Sequence, residues 1–118
     1  MHVANNQKRL DTNMKVIISV NPLFTDYDLL ADRMDSVIGS RHDIEIVCED
    51  VLSLGIQYAL EKGYPFRIFE TDDSLEPAAE TIRNILMARY ADMLACFGDT
   101  GNALPDEMLK RNKAVIRC

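Results

Sequence analysis

Apolar positions along the chain fall into two alternating rhythms. Short, continuous β-branched runs read as strands buried on both faces, and apolar residues three or four apart read as one face of a helix. Lys15 to Ser19 (KVIIS) is the first such run, closed by Asn21-Pro22. Thr25-Asp26-Tyr27-Asp28 then opens a helix with a capping-box-like pattern, Asp standing at the reciprocal position. Leu29, Leu30, Met34, Val37 and Ile38 line its inner face, and Gly39 stops it. Ile44 to Cys48 (IEIVC) is the second strand, and Leu52 to Lys62 the second helix, ending at Gly63. After the Tyr64-Pro65 turn comes the third strand, Phe66 to Phe69 (FRIF). Pro77 suits the first position of a third helix that runs to about Tyr90, with Ile82, Ile85, Leu86 and Arg89 spaced to face a sheet. Asp92 to Phe97 is the fourth strand, Leu104 to Asn112 the fourth helix and Ala114 to Arg117 the last strand.

Strand and helix therefore alternate from end to end. This predicts an α/β three-layer sandwich, a five-stranded parallel sheet with crossover helices on both faces. With strand order 3-2-1-4-5, the ligand crevice lies beyond the carboxyl ends of the strands, at the switch point between the first and fourth. The loops Val20–Phe24 and Gly98–Asn102 would floor it, and Glu49-Asp50 would form one wall. The same order holds Cys48 and Cys96 two strand spacings apart, ~9.6 Å, beyond the reach of a disulfide. Both are expected to be core thiols.

Composition narrows the class. The 118 residues suit one domain, with 47% apolar and 27% charged positions and a net charge of −6. No apolar run approaches a membrane span. Residues 1–13 (MHVANNQKRLDTN) lack the apolar core of a secretory signal and read as a polar, frayed leader before a domain over 14–118. The basic residues Lys110, Arg111, Lys113 and Arg117 follow Asp106 and Glu107, the acid-first order of a helix dipole, so nucleic acid is not an expected partner. An odd count of three cysteines without a CxxC pair argues against zinc and against a disulfide framework, and fits a reducing, cytoplasmic setting. His2 lies in the leader and His42 in a polar turn, so no metal site is expected from them. A homodimer is expected on the general tendency of small parallel α/β domains.

At its loops the chain resembles the SLOG superfamily (named for the DprA and LOG proteins), and within it the short YspA-like domains. The likeness runs from about Lys15 to the C-terminus. Thr25-Asp26 fits the family's helix start, Tyr58-Ala59 and Gly63 its second helix, Arg83-Asn84 with Met87 its third, and Ala91-Asp92 the opening of the next strand. Gly98-Asp99-Thr100-Gly101-Asn102 partly matches its last Gly-rich turn. Val20, Asn21 and Pro22 stand where the family has Gly-Ser-Arg, and Glu49-Asp50-Val51 replaces its Gly-rich second loop.

The resemblance implies a Rossmann-like fold binding a nucleotide or nucleotide-derived ligand through Ser19, Asn21, Arg83, Asn84, Gly98, Asp99, Gly101 and Asn102. Phosphate cradles need glycines that let backbone N–H groups approach the anion, and only Gly98 and Gly101 remain. Glu49, Asp50 and Asp99 add negative charge that repels phosphate unless a magnesium ion reverses the sign. Arg83 is either the cation for an anionic ligand or the partner of Glu49 or Asp50. Asn84 either meets a ligand or ties down the loop after the first strand. Asn102 is expected to cap the fourth helix, and Asn21 to shape a turn. LOG-type relatives cleave a nucleotide N-glycosidic bond with an acid near such a turn. Asp99, Asp106 and Glu107 are the weak catalytic candidates on that analogy, although Asp106 and Glu107 also suit a helix's first turn. The leading expectation is a sensor or binding module of SLOG type with weakened or lost catalysis. The alternatives are a nucleosidase or phosphoribohydrolase, and a structural protein whose crevice is filled by Leu23 and Leu52.

Overall fold

The computed structural model describes Val3–Asn5 as backbone and residues 13–118 in full. The elements in chain order are β1 (Val3–Asn5), β2 (Met14–Val20), α1 (Tyr27–Ile38), β3 (Ile44–Cys48), α2 (Leu54–Lys62) and β4 (Phe66–Phe69). A 3₁₀ turn (Asp73–Leu75), α3 (Ala79–Tyr90), β5 (Met93–Phe97), α4 (Leu104–Lys110) and β6 (Ala114–Arg117) complete the chain.

The sheet runs β1-β4-β3-β2-β5-β6. All pairings from β4 to β6 are parallel, so the five expected strands adopt the 3-2-1-4-5 order. Val3–Asn5, within the stretch read as a leader, adds an antiparallel strand on the free edge of β4. An edge strand leaves a row of unpaired N–H and C=O groups, which such a partner satisfies. Residues 1–2 and 6–12, His2 included, lie outside the described residues.

Each sheet face carries its own core, because strand side chains alternate in direction. Val16 and Ile18 of β2, Ile44, Ile46 and Cys48 of β3, and Ala95 and Phe97 of β5 pack under Leu30, Met34 and Ile38 of α1 and Ile56, Tyr58 and Ala59 of α2. On the other face Ile17, Val47, Phe69, Leu94 and Cys96 meet Met87 and Ala88 of α3 and Leu104 and Met108 of α4. Cys48 and Cys96 thus point to opposite faces, and all three cysteines are free thiols. The five-stranded parallel sheet of this order, with two helices on each side, is a Rossmann-like fold.

Several local expectations shift. The cap of α1 is Asp26, whose carboxylate accepts the Leu29 N–H, and not Thr25. Ser53 caps α2, which starts at Leu54 and not Leu52. Pro77 precedes α3 by two residues, and the buried face of that helix is Ala79, Asn84, Met87 and Ala88. Ile82, Ile85 and Leu86 are only half-buried and Arg89 is exposed. α4 stops at Lys110, with Asn112 taking the left-handed turn at φ 57°. Among the described residues, no helix is long and apolar enough to cross a membrane.

Candidate functional site

A cleft of about 820 Å³ opens at the carboxyl ends of β2, β3 and β4. Ile18, Val20, Asn21, Pro22, Phe24 and Thr25 line it from β2 and the loop that follows. Glu49, Asp50, Leu52, Ser53 and Leu54 come from the turn between β3 and α2, Glu70, Thr71 and Asp73 follow β4, and Arg83 reaches in from α3. The cleft therefore lies on the β3 side of β2, one strand away from the expected crevice between β2 and β5.

Asn21 explains the displacement. Its N–H donates to the Phe97 carbonyl at 2.9 Å, and its side-chain amide donates to the Asp99 carbonyl. The two loops that were to flank a ligand are thus tied directly to each other. Gly98 permits this approach: its φ is +77°, and a Cβ there would lie 2.9 Å from the Asn21 Cβ. Asn21 also shapes its own turn, its Oδ1 accepting the Leu23 N–H at 2.7 Å and its carbonyl the Phe24 N–H at 2.9 Å.

Arg83 stands on the wall formed by α3. Its Nη2 lies 3.1 Å from Glu49 Oε2, so of the two roles open to it the ion pair is the one the geometry contains. The other oxygen of Glu49 accepts the Ser19 hydroxyl at 2.6 Å, and Ser19 is buried. Asn84, also buried, accepts from Arg83 at 3.3 Å and not from the loop after β2. Ser19, Glu49, Arg83 and Asn84 form one chain of contacts behind the cleft, with Glu49 and Arg83 facing it.

The other candidates lie elsewhere. Gly98, Asp99, Gly101 and Asn102 sit on the β5–α4 loop, outside the cleft lining. Asp99 accepts the Gly101 N–H at 2.9 Å, and Asn102 accepts the Leu104 N–H at 3.0 Å, which steadies the entry to α4. Asp106 is an exposed first-turn residue of α4. Glu107 pairs with Lys110 at 3.0 Å and Arg111 at 2.7 Å, and the Arg111 bond above all holds its carboxyl below the usual range. The basic cluster is engaged too. Lys113 Nζ donates to the Ala88, Arg89 and Ala91 carbonyls at 2.7, 3.1 and 2.5 Å, closing the C-terminus of α3 where no glycine cap exists.

Sequence reasoning missed Ser53, Glu70, Thr71 and Asp73. The signal was present: Glu70 and Thr71 directly follow the FRIF strand, at the sheet end where ligands bind in such folds. Leu23 and Leu52 are 89% and 86% exposed and do not fill the cleft. Among the described residues, no group of three or more His, Cys, Asp or Glu side chains is placed to hold a metal ion. Burial pushes the Cys48 thiol up to about 12, so it is no nucleophile near neutral pH.

No family model, curated protein or solved structure matches the chain. Its class is defined by the sheet order and the place of the cleft.

Proposed function

We propose that this protein is a binding module of SLOG type for a small nucleotide-type ligand, seated in the cleft at the ends of β2, β3 and β4. The observation that carries the reading is that the cleft is open. Leu52 of its lining and Leu23 of the loop after β2 both stay in solvent, and its polar wall is held in place from behind by Ser19 and Arg83. A concave site with apolar sides and a few fixed polar groups is what small-molecule binding requires. The volume of about 820 Å³ falls within the usual range for such sites, about 300–1,000 Å³. The closed-crevice alternative predicted buried leucines at Leu23 and Leu52. The enzyme alternative drew its acid from Asp99, Asp106 and Glu107, and all three lie outside the cleft lining.

The test is a thermal-shift screen of nucleosides, nucleotides, nucleotide sugars and dinucleotides, with and without magnesium. A ligand at about 100 times its dissociation constant adds about 2.7 kcal/mol to stability, several degrees in a domain of this size. A hit should vanish in Arg83→Ala, which frees Glu49 from its fixed position. A flat screen across all four classes would end this reading.

A further inference from the structure

The anion donors of a Rossmann-like cleft are its loop N–H groups, the N-terminus of the adjoining helix and a nearby cation. Here the protein's own oxygens take most of them. Asp50 Oδ1 accepts the Leu52 N–H at 3.0 Å, and the Asp50 carbonyl accepts the Ser53 N–H at 3.1 Å. Ser53 Oγ accepts the Gly55 N–H at 3.0 Å, and the Ser53 carbonyl accepts that of Ile56 at 3.0 Å. Asn21 takes the N–H groups of Leu23 and Phe24 on the opposite side. Arg83, the only cation among the described lining residues, is committed to Glu49.

The acceptors show the reverse. Glu70 and Asp73 are exposed on the cleft wall and make no ion pair or side-chain hydrogen bond among the described residues. With Asp50 beside them, and Arg83 and Glu49 cancelling each other, three carboxylates face the space with no ion-pair partner among the described residues. In such a cleft the free carboxylates outweigh the remaining donors, chiefly the Thr25 and Thr71 hydroxyls. It favours a ligand that donates hydrogen bonds and carries no negative charge.

We infer that the ligand taken in this cleft is unphosphorylated: a nucleoside, whose ribose hydroxyls and ring amino group donate to Asp50, Glu70 and Asp73. The inference rests on the nucleotide-type reading above and specifies the form of that ligand. A 5′-phosphate would add two negative charges close to three others, with Arg83 already paired and only the Thr25 and Thr71 hydroxyls and the Leu54 N–H to receive it.

The deciding experiment is isothermal titration of the full chain in magnesium-free, low-salt buffer. The titrants are adenosine, guanosine, cytidine and uridine, and each 5′-monophosphate. At least one nucleoside should bind, and its monophosphate should bind about tenfold more weakly or worse, given the like charges facing it. The gap should narrow in Glu70→Gln/Asp73→Asn and at ~1 M salt, where screening acts within ~3 Å. A monophosphate that binds as tightly as its nucleoside overturns the inference and leaves the nucleotide-type reading standing. So does a gap that the double substitution leaves unchanged. If no nucleoside binds but a phosphate-bearing compound does in the wider screen, the inference alone falls. If nothing binds in either experiment, both fall.

Discussion

One glycine shows how closely a single position constrains this fold. Gly55 lies at the start of α2, where an added Cβ would sit 2.7 Å from Cys48 Sγ and 2.9 Å from Ile18 Cβ. Neither atom is the far end of a flexible chain, so helix and sheet would have to part. Gly55→Ala should destabilise the protein by about 1–3 kcal/mol, the usual penalty for overpacking a dense core. Urea denaturation checks this, and a loss below ~0.5 kcal/mol would mean the layers can separate freely. Neither contact was visible in the sequence, because it depends on how near α2 lies to β2 and β3. The thiols make a second residue-scale case. Burial raises Cys48 to about 12, and Cys96 is also buried and raised, whereas Cys118 is exposed. Titration of the native protein with a thiol reagent at pH 8 should modify Cys118 first. Cys48 and Cys96 should react only as the chain unfolds.

At the scale of elements, legibility followed how much of an element's identity its own residues carry. The strands IEIVC, FRIF and AVIR lie where their β-branched and aromatic runs place them. A buried parallel strand needs continuous apolar sequence and little else. Helix faces were harder. The inner face of α1 was readable from Leu30, Met34 and Ile38. That of α3 was not, because Ala79, Asn84, Met87 and Ala88 carry less apolar signal than their neighbours Ile82, Ile85 and Leu86. The end of α3 was illegible for a different reason. Its carbonyls are closed by Lys113, from the turn before β6, a contact between positions more than twenty residues apart. Lys113→Ala should cost about 1–3 kcal/mol, because it strips several part-buried carbonyls of a charged donor. Hydrogen exchange should show the loss concentrated in the last turn of α3 and in β6. Uniform loss of protection across all helices would argue against a local capping role. The candidate site divides in the same way. The Glu49-Asp50 wall could be read from element order and Arg83 became a candidate through the SLOG resemblance, but the cleft's position could not be read. It is set by Asn21 tying two loops together across the top of β2 and β5.

For the molecule as a whole, the first face of the sheet sets a limit on the alkaline side. Cys48 lies in that core, Tyr58 is buried there, and Tyr27 packs against it. Burial is the largest cause raising each of the three. For Tyr58 the next is its hydrogen bond to Asp35 at 2.7 Å, and for Tyr27 the nearby Glu61 adds to burial. In the unfolded chain these groups ionise from ordinary values of 9.0 for the thiol and 10.0 for the phenols. The folded protein keeps them protonated well beyond that, so above pH ~9 the native state binds more protons than the unfolded state. Stability must then fall as pH rises. The contribution of Cys48 is complete below pH 9.0 and is lost progressively toward about 12, while the two tyrosines steepen the decline from about 10 upward. Urea midpoints measured from pH 7 to 11 should hold level to about 9 and then drop. Tyr58→Phe cannot ionise at this position, so its curve should start lower, having lost the Asp35 bond, and decline less steeply between about pH 10 and 11. A midpoint flat to pH 11 in the parent protein, or parallel declines in the two proteins, would show that this core does not hold its phenols protonated.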